Sequence, residues 1–319
     1  MSAYQAACVP PSRVLPSDAA GANRRVLFAC YDESWPASAL LRAHQFAERL
    51  RDELYALRVC PSPRTAWHIP RRRRPLAALR SIEALEKNRA ELLQRCGAIV
   101  WPALPEPQIL SAEGDPIEVT ARIATELGAE LIVLPPQPRP CGDAAMQIVQ
   151  AARVPVLVAR PGRSHNIVVA ATNLKDQRYP VLRHARSISA LLQAELLLVH
   201  NVEPALIAPT PEVAMLWLQT APPAEKESQA HKLHAVAKRI PRCAGSIIRS
   251  EANTAQAILE TSRSCDADLI VVGVARVYSR WERLLGKSVA ACVAERAYRS
   301  VLLFPISPPS SEAIPEASA

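Results

Sequence analysis

Only 9 glycines occur in this 319-residue chain, against 29 prolines, so a site built on backbone amides has few positions to draw on. One stretch uses two of them. Gly273-Val-Ala-Arg276 closes an apolar run, nine residues follow, and Gly286-Lys287-Ser288 opens the helical segment Val289 to Ala297. Glycine permits a sharp turn off a strand and lets a ligand approach the backbone. Free amides at a helix start hold an anion, and a serine there either caps the helix or donates to a phosphate. The stretch therefore suits a phosphate-bearing ligand beyond a strand end. Lys287 adds charge, and Arg276 either fills the groove or pairs with phosphate.

Other chemistries fail on spacing. Gly286-Lys287-Ser288 ends like a P-loop, yet the glycine required five residues earlier is Trp281. No G-x-G-x-x-G or G-x-S-x-G is present. His231 and His234 stand three apart on a helical segment, with no third metal ligand at known spacing. His200, at a strand end, reads as a packed residue, and no Ser/His/Asp set supports a hydrolase. The eight cysteines (Cys8, Cys30, Cys60, Cys96, Cys141, Cys243, Cys265, Cys292) contain no Cys-x-x-Cys pair. Several lie in apolar runs, as buried free thiols do.

The composition, 49% hydrophobic and 21% charged, is that of a globular protein, and the length favours two domains. No uncharged apolar run is long enough to cross a membrane, and the N-terminus lacks a secretion signal, so a cytoplasmic location without membrane contact is expected. The net charge of +8 is spread evenly: 20 basic and 16 acidic residues up to Arg160, 18 and 14 beyond it. The dense patch Arg71–Arg74, between Pro70 and Pro75, lacks an aromatic platform or nucleic-acid motif. It reads as a solvated loop; nucleic acid is not an expected partner, and an anionic partner on this patch is the alternative.

The elements that would position the glycine stretch come from an internal repeat. Arg25-Val-Leu-Phe-Ala-Cys30 matches Asn166-Ile-Val-Val-Ala-Ala171 at an offset of 141. Helical spacing follows each, at Leu40, Ala43, Ala47 and Leu50, then at Val181, Ala185, Ile188 and Leu192. The strands Glu53–Leu57 and Glu195–Val199 come next. Gly128-Ala-Glu-Leu-Ile-Val-Leu134 matches Asp266-Ala-Asp-Leu-Ile-Val-Val272 at an offset of 138. The helices before them open on Asp115-Pro116-Ile117-Glu118 and on Asn253 with Gln256. Val154–Val158 and Ser300–Phe304 read as closing strands. Alternating strands and helices imply a parallel sheet covered on both faces, with ligands beyond the carboxyl ends of its strands. Arg160-Pro-Gly-Arg-Ser164 is the expected junction, and Pro204 to Ala224, whose only charge is Glu212, the expected insert: a packed helix, a ligand lid or a subunit contact. From Pro305 the composition turns to proline, serine and alanine, the mark of a disordered tail.

These strand openings, the paired Ala-Glu-Leu-Ile-Val and Ala-Asp-Leu-Ile-Val runs, the Gly273 stretch and the turn Val169-Ala-Ala-Thr-Asn-Leu-Lys-Asp176 resemble the universal stress protein family, in its tandem two-domain form. The resemblance covers residues 24 to 305. It implies two Rossmann-like α/β domains of the adenine-nucleotide-binding kind, each with five parallel strands. The domains would span 24–160 and 161–305, after a flexible 1–23 and before a tail over 306–319. It also implies a non-catalytic stress-response role and dimers or their tandem equivalent. Members differ in whether they bind ATP.

Carried over residue by residue, the second half matches at Gly273, Gly286 and Ser288, and Asn201 falls where the family's backbone meets adenine. Asn173 replaces an expected carboxylate, Arg276 a second glycine, and Lys287 is inserted. A weak adenine-nucleotide site is implied, with magnesium if the ligand is ATP, whose occupancy would alter contact with an unknown regulatory protein. The first half keeps Asp32 but has Pro135-Pro-Gln-Pro-Arg-Pro-Cys-Gly-Asp143, whose prolines lack donors and whose Asp143 repels phosphate. It is expected to bind no nucleotide and to pair with the second half, or the chain to form a homodimer. The enzymatic alternative is slow ATP hydrolysis in the same pocket. It lacks a general base, because Asn173 cannot accept a proton and Arg276 and Lys287 only stabilise charge.

Overall fold

A computed structural model describes residues 25–31, 37–60, 107–136, 141–161, 166–174, 179–202, 223–275 and 288–306. Asp32, Arg71–Arg74, Arg276, Gly286, Lys287, nearly all of the insert and the two termini lie outside these residues. The first half contains β1 (Arg25–Cys30), α1 (Ala37–Leu50), β2 (Glu53–Cys60), β3 (Gln108–Glu113), α2 (Pro116–Leu127), β4 (Ala129–Leu134), α3 (Cys141–Ala152) and β5 (Val156–Val158). The second contains β6 (Ile167–Ala171), α4 (Pro180–Leu192), β7 (Glu195–Asn201), α5 (Pro223–Lys238), β8 (Cys243–Arg249), α6 (Thr254–Ser264), β9 (Leu269–Ala275), α7 (Val289–Arg296) and β10 (Ser300–Ile306).

The strands form one ten-stranded sheet in the order β3-β2-β1-β4-β5-β10-β9-β6-β7-β8. Within each half all neighbours are parallel. The halves join by the antiparallel pair β5/β10, with Leu157 opposite Leu302 and Val158 opposite Val301. Each half thus repeats the same doubly wound order, and the chain pairs with itself as a dimer would.

Alternation along the strands sorts side chains onto two faces. Val26, Phe28, Leu131, Leu157 and Leu302 pack beneath α1, α4 and α5. Leu27, Ala29, Ile132, Val156 and Leu303 pack beneath α2, α3, α6 and α7. The helix starts follow the capping signals. Asp115 Oδ1 accepts from the amides of Ile117 (2.9 Å) and Glu118 (3.1 Å), and Asn253 Oδ1 from that of Gln256 (3.2 Å).

Three expectations need correction. The strand expected from Val154 begins at Val156. The chain expected to leave the sheet at Pro305 stays in it: Pro305 pairs with Val274 and Ile306 with Ala275. A proline is tolerated there because β5 pairs only with Val301–Leu303, so no strand lies opposite its missing N–H. Nor does the chain turn at Gly273, since β9 runs on to Ala275.

Candidate functional site

The parallel order β9-β6-β7 brings the ends of three strands to one edge of the second half, and with them Gly273, Asn173 and Asn201. Beyond β6, the Thr172 amide donates to the Val199 carbonyl (3.0 Å) and extends the pairing by one residue. The Thr172 hydroxyl then accepts from the Leu174 amide (3.2 Å), and Leu174 takes a left-handed φ of 55°. This turn exposes Asn173. The Thr172 carbonyl lies 2.7 Å from Nδ1 of the buried His200, so His200 braces the turn.

Asn201 is buried and its side chain is fully engaged. Oδ1 accepts from the Glu251 amide, and Nδ2 donates to the Glu251 carbonyl and the Thr254 hydroxyl, each at 2.9 Å. The side chain thus fixes the loop ahead of α6 and leaves only backbone for a ligand. Ser288 is the N-cap of α7: its Oγ accepts from the Ala291 amide (3.0 Å). Its hydroxyl also reaches Met146 Sδ on α3, at 3.2 Å. The cap it was expected to form is present, and it also ties the two halves together.

Gly273 lies inside β9 and is closely packed on the side where a side chain would stand. A Cβ there would lie 2.3 Å from Ile306 Cδ1 and 2.7 Å from Val181 Cγ2. On this side of β9 the space next to the backbone is filled by α4 and by the end of β10. Beside it the His184 and Phe304 rings stack at 3.5 Å, and burial, then the charge of Arg183, lowers the His184 pKa. The glycine is explained by close packing of helix on sheet.

In the first half, Asp143 sits in the opening turn of α3, as expected. Gly142 beside it is pressed against α7, where a Cβ would stand 2.1 Å from the Ala291 carbonyl oxygen. His231 and His234 are exposed on α5, and among the described residues no three His, Cys, Asp or Glu side chains converge as metal ligands. Cys60, Cys243 and Cys265 are free thiols, and of the five described cysteines, Cys292 among them, Cys30 alone is fully buried. No described helix is long and apolar enough to cross a membrane.

Two clefts formed by described residues include none of the predicted site residues. One, of about 210 Å³, lies between α4 and α5 beside Arg183, Arg186 and Arg239. The other, of about 480 Å³, lies between α1 and the second half, beside Arg42, Arg49 and Arg160. The sequence carried a signal for the second: Ser38, Leu41, Arg42, Gln45 and Arg49 share one helical face of α1, opposite its apolar one.

Two doubly wound α/β domains in tandem, fused edge to edge, define the class. The model of the universal stress protein family matches residues 22–160 and again 164–305, and the chain belongs to that family. Its fold is similar to a functionally unknown protein from Pseudomonas aeruginosa PAO1, at 17% identity and a TM-score of 0.58, covering 89% of this chain and 93% of that one. It is similar also to a universal stress protein from Archaeoglobus fulgidus DSM 4304, at 14% identity and a TM-score of 0.56, covering 89% and 96%. No curated protein matches the sequence.

Proposed function

We propose that the protein is a non-catalytic stress-response regulator whose second half holds an adenine nucleotide weakly. Domain 1, residues 24–160, serves as the paired scaffold, and domain 2, residues 161–305, carries the site. The observation that supports this reading is the Ser288-capped start of α7 following β9, on the edge where β6 and β7 end. Backbone beside Asn201 would meet the base. The amides opening α7, with Gly286, Lys287 and Arg276 in the preceding stretch, would meet the phosphates. Asn173 would face the ribose or a magnesium-bound phosphate without acting as a base.

Native mass spectrometry of freshly purified protein, followed by calorimetric titration with AMP and magnesium-ATP, tests the reading. Saturable binding of one nucleotide per chain is expected, weakened by Lys287→Ala. Gly273→Val is unsuitable as the control, because Ile306 and Val181 already occupy that space. A protein that purifies empty and ignores both nucleotides overturns the nucleotide assignment, and phosphate release that Arg276→Ala with Lys287→Ala abolishes overturns the non-catalytic one.

A further inference from the structure

The 480 Å³ cleft differs in kind from the proposed nucleotide edge. One wall is the polar face of α1, from the first half. The other is built from the second half: Asn166 and Val168 at the start of β6, Asp268 ahead of β9, and Leu192 at the end of α4. Its volume is in the range of small-molecule pockets, roughly 300–1,000 Å³. Three guanidinium groups line it against two carboxylates, those of Glu48 and Asp268.

Two of the three guanidiniums also hold the frame. Arg49 Nη1 donates to the Leu191 carbonyl at the end of α4 (3.1 Å), and Arg160 Nη2 to the Ala294 carbonyl at the end of α7 (2.7 Å). Arg42 is different. Its Nη1 donates to Gln45 Oε1 (3.2 Å) and its guanidinium carbon stands 5.8 Å from the Phe46 ring centre, but its Nε is buried with no hydrogen-bond partner among the described residues. Burial lowers its pKa, Asp268 raises it in part, and Arg49 lowers it further. A half-buried cation with a buried donor left unpaired is a group that an incoming anion stabilises. Beside it Leu41 is 40% exposed, one of only two large apolar side chains so exposed among the described residues. Cation and apolar surface at one mouth fit a ligand with both characters.

We propose that this cleft binds a small amphiphilic anion, an apolar body carrying one phosphate or carboxylate group, with Arg42 as the principal contact of the head group and Leu41 and Leu192 against the body. Occupancy would bridge the halves, because neither supplies both walls. The proposal is independent of the nucleotide assignment.

Calorimetric titration of the full chain with phenyl phosphate, benzoate and neutral benzyl alcohol tests it. Saturable binding of at least one anion and none of the alcohol is expected, the tighter anion identifying the preferred head group. Arg42→Gln should weaken binding about tenfold, the loss of a charge-assisted contact. Because that variant disturbs a half-buried residue, the exposed Glu48→Gln supplies a second reading: removing a rim carboxylate should tighten binding about twofold. No saturable anion binding overturns the proposal. So does binding that is indifferent to both substitutions, which would place the anion elsewhere.

Discussion

Gly142 and Gly273 look alike in the sequence, and the structure separates them by what stands next to each. At Gly142 a methyl group would meet the Ala291 main chain, which cannot rotate away; at Gly273 it would meet the ends of the Ile306 and Val181 side chains, which can. Gly142→Ala should therefore cost about 3 kcal/mol and Gly273→Ala about 1 kcal/mol. Urea midpoints at unchanged slope measure both, and the reverse order would refute this packing account. His184 supplies a pH dependence. Burial, then Arg183, lowers its folded pKa, so the native state binds fewer protons than the unfolded one. The stability it contributes is complete above the unfolded value of about 6.5 and is lost as pH falls from there toward the lower folded value. Burial displaces His44 in the same direction. His184→Phe, which keeps a ring against Phe304, should flatten stability between about pH 7 and 5 without abolishing the slope; urea unfolding across that range would reveal it.

Ser300 shows how one buried residue joins two elements. Its hydroxyl accepts from the Arg160 amide (3.0 Å) and donates to the Arg160 carbonyl (3.2 Å), fastening the end of β5 to the start of β10. Ser300→Ala should cost about 1–2 kcal/mol, because both main-chain groups lose that partner. Hydrogen exchange should speed up first at the Arg160 amide; unchanged protection there would refute the role. The elements that could be read from sequence were those with two independent signals. Helices α2 and α6 carry both an apolar face and a capping side chain. Strands β1, β4, β6 and β9 are buried runs that occur twice. The edge strands β3 and β8 carry no such signal: their side chains are mostly half-buried, and among the described residues each pairs with a single neighbour. Site residues were legible as types but not as roles. Ser288 announced its cap by preceding an apolar helix, whereas the packing that explains Gly273 depends on Val181 and Ile306, 92 residues before it and 33 after.

At the scale of the whole molecule, the antiparallel β5/β10 pair turns two repeats into one sheet. The contact that holds them is nearly self-complementary. Val156-Leu157-Val158 lies against Val301-Leu302-Leu303 in a register centred on Leu157 and Leu302, and α3 crosses α7 at Gly142 and Ala291 on one face of the same junction. The faces that meet are buried and apolar, so a half that lost its partner would expose an unpaired strand edge together with the bare side of α3, a surface prone to pairing. Substituting a second β5 for β10 would set Leu157 against Leu157 and preserve the alternation that sends Val156 and Val158 to one face and Leu157 to the other. Residues 22–160 expressed alone should therefore form a twofold dimer rather than a monomer, and Leu157→Lys, which places a charge at the centre of that contact, should dissociate it. Light scattering after size-exclusion chromatography distinguishes the two states. A folded, monomeric half would mean that the junction depends on features of β10 and α7 that the first half lacks, the Ser288 bridge to Met146 being the first to examine.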